Sequence, residues 1–154
     1  MNKKVLLEAV WWITTIVLVI MIMMPIYNND PNSQYPFYAS NIFFVALFIT
    51  YTRYIFLLKH TFLAHQKILK VVFVFVSIPL FLYALDSFYD FMDVYDKDGF
   101  IKMVSHMEPD EAMSIVKYIR NEYTFFAVGG FIVLVLFPIR LIISVWRNMN
   151  RNSV

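Results

Sequence analysis

Residues 9–29 of the chain read AVWWITTIVLVIMIMMPIYNN, a run without any charged side chain. A helix of this length measures ~31 Å, which matches the roughly 30 Å hydrocarbon core of a bilayer. Lys3 and Lys4 precede the run, as basic residues do in a signal peptide, but no A-x-A-like cleavage site follows it. We therefore predict a first transmembrane helix that stays in the mature chain.

Three further apolar runs each predict another transmembrane helix. The second run, residues 39–58, is interrupted only by Arg53. The third, residues 71–85, is shorter and needs flanking residues to cross a bilayer. The fourth, residues 123–146, is interrupted by Arg140.

The predicted fold class is all-α: a polytopic membrane protein built as a four-transmembrane-helix bundle. The composition agrees, because 60% of the residues are hydrophobic, against roughly 45–50% in a soluble domain. Absence of cysteine excludes disulfides and thiolate chemistry. We expect a single integral membrane domain over residues 1–154, with spans at about 7–28, 39–60, 68–90 and 120–146 and an extramembrane acidic segment at 86–122.

The distribution of charge predicts the orientation. If both termini are cytoplasmic, the inner segments hold nine basic residues, and Glu8 is their only acid. The segment 86–122 holds four basic and nine acidic residues, which gives a net charge of −5. This asymmetry satisfies the positive-inside rule. The basic residues stand singly at helix ends, where they meet lipid head groups, so the sequence predicts a membrane-lipid partner and no nucleic-acid partner.

The acidic segment has helical signals and predicts a short helical periplasmic segment between helices 3 and 4. Apolar residues recur at helical spacing in Phe100, Val104 and Met107. Pro109 suits the first turn of a second helix that leads into the fourth span. Its apolar stripe is expected to lie on the protein's own bundle or on lipid, and docking of a partner is the alternative. The stripe comprises Ala112, Ile115, Val116, Ile119 and Tyr123.

Asp93, Asp96 and Asp98 are weak candidates for a metal site. Asp96 and Asp98, followed by Gly99, match the middle of an EF-hand loop, but Val94 and Ser105 occupy the positions of two strong ligands. We therefore predict no metal and interpret the segment as a solvated acidic turn, with a weak surface site for Ca²⁺ or Mg²⁺ as the alternative.

The sequence contains no G-x-S-x-G, H-E-x-x-H or P-loop motif. We therefore predict no catalytic residue, no cofactor, no small-molecule substrate and no enzymatic activity. Arg53 and Arg140 are expected to extend to lipid head groups, although Arg140 could pair with a neighbouring subunit. No Asp, Glu or His is expected in the middle of a span, which argues against autonomous ion-coupled transport.

Gly129 and Gly130 form a smooth patch on the fourth span that allows close approach of another helix. With Arg53 and Arg140 they are the predicted helix-packing or partner-interface residues.

Two stretches support a resemblance to a known family. YTRYIFLLKHTFL at residues 51–63 and FPIRLIISVWR at residues 137–147 resemble a family of four-span inner-membrane proteins of Bacteroidota-type bacteria. In that family the genes tend to stand beside those for ExbB/ExbD-type proton-driven motors, which energise TonB at the outer membrane. The resemblance implies an accessory role in such a motor and a place in the bacterial inner membrane.

Two functions follow as expectations. The first is a non-catalytic accessory or scaffold subunit of an inner-membrane complex, with other inner-membrane subunits as partners. The alternative is a small channel or transporter formed by self-association.

Overall fold

A computed structural model of the protein describes residues 3–150, apart from the side chains of Lys3, Lys4, His60, Phe62, His65 and Asn148. Arg151 and the side chains of Lys3 and Lys4, which contribute to the predicted orientation, lie outside the described part of the chain.

Residues 3–150 contain helices and no strand. The α-helices are α1 (Lys3–Asn28), α2 (Tyr38–Leu57), α3 (Lys67–Asp98), α4 (Ile101–Val104) and α5 (Pro109–Asn150), and two 3₁₀ turns, Leu58–His60 and Phe62–His65, connect α2 to α3. Four of these helices, α1, α2, α3 and α5, are long and apolar enough to cross a membrane. The predicted all-α four-helix fold of a multi-pass membrane protein is confirmed.

The long helices alternate in direction, and α5 is central because it packs against both α2 and α3. We call the end formed by residues 29–37 and 99–108 the distal end, and the end formed by residues 58–66 the proximal end. Helix α1 packs mainly against α2. Its only buried side chains are those of Thr15, Met23 and Ile26, among the α1 side chains that the structure describes.

The contact between α2 and α5 depends on two glycines. A Cβ atom on Gly129 would lie 2.7 Å from the ring of Phe48, and one on Gly130 would lie 3.2 Å from the side chains of Phe44 and Leu47. Contacts under 3.0 Å force a shift, so Gly129 sets how closely the two helices approach. The structure thus places the predicted patch inside the protein's own bundle.

Helices α3 and α5 are longer than a bilayer requires. They contain 32 and 42 residues, or ~48 and ~63 Å, against roughly 30 Å of hydrocarbon. The extra length lies at the distal end, where residues 86–122 form what we call the distal projection. Most of its buried side chains are apolar, namely those of Phe91, Phe100, Met103, Ile115 and Ile119, and the buried polar residues are Ser87 and Glu122.

Two expectations for this segment have different outcomes. Its second helix begins at Pro109 as expected and continues without interruption into the fourth span, and its apolar stripe faces the protein's own bundle. The helix expected around Phe100, Val104 and Met107 is reduced to the single turn α4. Phe100 has a φ of +58°, and its buried ring has its centroid 5.5 Å from that of the Tyr35 ring.

Candidate functional site

A cluster of buried polar side chains lies at the distal end, between α2, α5 and the loop 29–37. Asn41 is fully buried, Tyr35 is 2% exposed and Glu122 is 8% exposed. The Asn41 Nδ2 atom donates a hydrogen bond of 2.8 Å to Glu122 Oε2 and lies 3.4 Å from the Tyr35 hydroxyl oxygen. We call these three residues the distal polar cluster.

Two oxygens of this cluster lack a hydrogen-bond partner. They are Glu122 Oε1 and Asn41 Oδ1, and both are buried. An unsatisfied buried polar atom costs about 1–3 kcal/mol, so such atoms are rare in native proteins. Both atoms are acceptors. In the structure, no described side chain donates a hydrogen bond to either atom.

Tyr123, next to Glu122 in α5, ties three helices together around the cluster. Its hydroxyl donates to the Ser87 carbonyl oxygen of α3 at 3.1 Å and lies 3.0 Å from the Ser40 hydroxyl of α2. Its ring stacks on that of Phe91, with the centroids 3.8 Å apart. The edge of the Phe37 ring packs against it from the loop side. Aromatic rings from α3 and from the loop thus pack around Tyr123, next to the cluster.

Asp30 folds the loop that carries Tyr35 into the cluster. Its carboxylate accepts hydrogen bonds from the backbone N–H groups of Gln34 and Tyr35, at 2.8 and 2.9 Å, and from the Tyr38 hydroxyl at 3.0 Å. Burial raises the pKa of the Tyr35 phenol above its ordinary value. Tyr35 therefore stays neutral in the folded protein.

A second buried polar group lies toward the proximal end. Arg53 Nη2 and Glu8 Oε2 are 2.6 Å apart, and the side chains are 5% and 15% exposed. The Arg53 guanidinium also lies over the rings of Trp11 and Tyr54, at 5.5 and 5.2 Å from their centroids. The expectation that Arg53 extends to lipid head groups is therefore wrong, because the side chain is enclosed by protein and fastens α2 to α1.

Two further cations make contacts within the bundle near the proximal end. Arg140 Nε donates to the Ile55 carbonyl oxygen at 3.3 Å, which joins α5 to the end of α2. Lys70, which the sequence analysis did not single out, is fully buried. Its Nζ donates to the Ala64 carbonyl oxygen at 2.7 Å and to the Ser144 hydroxyl at 3.0 Å.

The weak metal candidates Asp93, Asp96 and Asp98 lie on the exposed surface of the distal projection. Asp93 pairs with Lys97, with 2.8 Å between Oδ2 and Nζ. Within the described residues, no three His, Cys, Asp or Glu side chains are grouped so that they could hold a metal ion. Gly99, with a φ of +52°, ends α3 and donates its N–H to the Tyr95 carbonyl oxygen.

The distal polar cluster is not among the site residues predicted from the sequence, although a signal for part of it was present. Residues 115, 119 and 122 follow helical spacing, so Glu122 shares the apolar face of Ile115 and Ile119. Asn41 likewise stands three residues before Phe44 and four before Val45, which are both buried. No comparable periodicity marks the loop residues Asp30 and Tyr35.

Comparisons of the chain with protein-family models, with curated proteins and with solved structures gave no match.

Proposed function

We propose that the protein is a non-catalytic accessory or scaffold subunit of a bacterial inner-membrane complex. The observation that carries this proposal is the distal projection, a folded helical unit that extends α3 and α5 beyond the length that a bilayer requires. A projection with its own buried interior presents a fixed surface outside the hydrocarbon region. Such a surface suits recognition of another subunit.

The surface of the spans supports the same proposal. In residues 5–27, 42–57, 68–85 and 123–146, every exposed residue that the structure describes is apolar or aromatic, apart from the backbone-restricting Pro79. Close packing between membrane helices favours small residues at the contact. In this protein, small residues such as Ala84, Ala127 and Gly130 face inward, toward the protein's own bundle. The exposed surfaces of the described spans therefore suit contact with lipid. They offer no polar lining for a channel made by self-association.

The charge of the projection defines the partner that we propose. Segment 86–122 carries a net charge of −5, and eight of its acids are exposed. A basic extramembrane segment of a partner subunit complements this surface. With both termini in the cytoplasm, the projection is periplasmic. As the specific partner complex, we propose an ExbB/ExbD-type motor that energises TonB-dependent transport.

Purification from native membranes in mild detergent tests the proposal. We expect partner subunits in fixed stoichiometry with the wild-type protein. Removing three exposed charges from one face of α3, by Asp86→Asn, Asp90→Asn and Asp93→Asn together, should lower partner recovery at least tenfold. The matched control removes three exposed charges elsewhere in the projection, by Glu108→Gln, Asp110→Asn and Glu111→Gln.

The outcomes separate the parts of the proposal. If only the second triple variant loses the partner, the partner binds the start of α5 and the projection remains the recognition surface. If both triple variants retain it, the projection is not the contact. A homo-oligomer without partners, whose reconstitution into vesicles confers an ion flux, would establish the channel or transporter alternative instead.

A further inference from the structure

We propose that the distal polar cluster is a proton-binding site, in which a single proton is held between Glu122 Oε1 and Asn41 Oδ1. These are the two buried atoms of the cluster that lack a partner. The site depends on no partner subunit, so it can be tested independently of the proposed function.

The chemistry of the two side chains explains why one proton serves both orphan atoms. A carboxylic acid and a primary amide each have one donor and one acceptor facing the same way, so they can form a closed pair with two hydrogen bonds. One of these bonds is already present, from Asn41 Nδ2 to Glu122 Oε2 at 2.8 Å. Protonation of Oε1 supplies the second donor, and Asn41 Oδ1 is the acceptor.

A metal ion fits this site less well than a proton. Ca²⁺ takes six to eight oxygen ligands, whereas the cluster offers the Glu122 carboxylate, one amide oxygen and the Tyr35 hydroxyl. Asn41 also directs an N–H donor into the carboxylate, and a donor repels a cation. Among the residues that the structure describes, no group of three His, Cys, Asp or Glu side chains could hold a metal ion.

Burial raises the pKa of Glu122 and favours its neutral form, whereas the hydrogen bond that it accepts from Asn41 acts in the opposite direction. From the loop 29–37 Glu122 is approached by Tyr35, and along α5 its neighbours are Tyr118 and Tyr123. The nearest acid of α3 in these contacts is Asp90, which acts on Tyr123. Helix α2 contributes Asn41 and the Ser40 hydroxyl near Tyr123, which do not titrate, and α1 contributes the Ile22 carbonyl oxygen, which accepts from Tyr118.

No cation balances a charge on Glu122 within the described part of the chain. Arg120 lies two residues earlier, but its guanidinium sits 5.0 Å from the centroid of the Tyr95 ring. An ionised Glu122 would therefore be a buried charge with a single side-chain donor. Such a charge is costly, and protonation removes it.

The proton makes the packing at the distal end sensitive to pH. With the proton bound, the cluster joins α2, α5 and the loop 29–37 without net charge. Loss of the proton leaves a buried negative charge beside a bare amide oxygen. Raising the pH should therefore loosen the contacts between these three elements.

Infrared spectroscopy on the purified full chain in detergent or nanodiscs tests the site directly. At about pH 6, where exposed carboxyls are ionised and which lies below the pKa of about 7 to which burial raises Glu122, we expect the C=O stretch of one protonated carboxyl. Glu122→Gln should remove this band, whereas the exposed control Glu111→Gln should leave it. Glu122→Gln keeps the closed pair, because its amide can donate to Asn41 Oδ1, and it should therefore fold.

Thermal unfolding supplies a second readout. The wild-type midpoint should fall as the pH rises from 4.5 to about 7, the ordinary and the folded pKa of Glu122, and Glu122→Gln should remove this part of the pH dependence. A carboxylate band in place of the protonated one would overturn the proposal, because a water bridging an ionised Glu122 would then be the missing donor. Stabilisation by Na⁺ at constant pH and ionic strength, lost in Glu122→Gln, would show a cation site instead.

Discussion

Arg53 and Glu8 are 45 positions apart in sequence, yet Arg53 Nη2 lies 2.6 Å from Glu8 Oε2. Their ion pair joins α1 to α2 at a place where α1 has few other buried contacts. Breaking a buried pair from one side leaves an uncompensated charge, which typically costs about 3–5 kcal/mol.

The first prediction concerns this pair. Glu8→Gln should destabilise the protein by about 3 kcal/mol, because the Arg53 charge then stays enclosed without its carboxylate. Glu8→Gln combined with Arg53→Met should recover most of the loss. Unfolding by denaturant in mixed micelles measures both effects. Equal stability of Glu8→Gln and wild type would mean that the pair does not hold α1.

The second prediction concerns the contact between α2 and α5. Gly129→Ala should destabilise the bundle by about 1–3 kcal/mol, because the added Cβ meets the Phe48 ring at 2.7 Å. Gly130→Ala, with its nearest contacts at 3.2 Å, should cost less. Combining Gly129→Ala with Phe48→Leu should relieve the clash. If Gly130→Ala proves less stable than Gly129→Ala, the clash with Phe48 is not what limits the contact between α2 and α5.

The third prediction concerns the loop that carries Tyr35. Asp30→Ala removes the acceptor of three hydrogen bonds and should loosen the loop, since unsatisfied groups cost about 1–3 kcal/mol each. Because the chain has no native cysteine, a single Ser33→Cys probe can report on the loop. Its thiol should react with a maleimide about tenfold faster in the Asp30→Ala background, the equivalent of ~1.4 kcal/mol. Asp30→Asn keeps one oxygen and should have a smaller effect.

The fourth prediction concerns the orientation. Single cysteines at Asn32 and Asp110, which are exposed at the distal end, should react with an impermeant reagent from outside the cell. Cysteines at the exposed positions Gln66 and Met149 should react only after permeabilisation. Labelling of position 66 from outside would place the proximal end in the periplasm and reverse the proposed orientation.

The fifth prediction concerns metal binding by the acidic turn. Because Val94 and Ser105 occupy two ligand positions of the EF-hand register, calorimetry should show no Ca²⁺ site tighter than about 10⁻³ M. Asp93, Asp96 and Asp98 are exposed on the surface. A micromolar site lost in Asp96→Asn would show that the turn rearranges to bind calcium.

The fold was predictable because apolar runs as long as residues 9–29 have few alternatives to a transmembrane helix. Boundaries outside the apolar runs were harder to predict. Helix α3 continues to Asp98 through a charged stretch, because its inward residues Ser87 and Phe91 pack against α5 while its acids face outward.

The polar clusters were less predictable, because they depend on which residues meet across helices. An arginine near the end of an apolar run is expected to reach lipid head groups unless a carboxylate lies opposite it. For Arg53 that carboxylate is Glu8, on another helix. Asn41 and Glu122 are 81 positions apart, and only the packing of α2 on α5 brings them together. Helical spacing could place each residue on a buried face, but it could not pair them.

Helix α5 also has a mechanical consequence. It runs without a break from Pro109 to Asn150, so the projection and the proximal end are two arms of one lever about 63 Å long. A tilt of ~10° about the centre would move each tip by ~5 Å, and the two tips would move in opposite directions. The compliant point of the lever is Pro138, which lacks a backbone N–H and permits a bend. A bend at Pro138 would keep residues 109–137 as one continuous helix and would change the direction of only the last three turns.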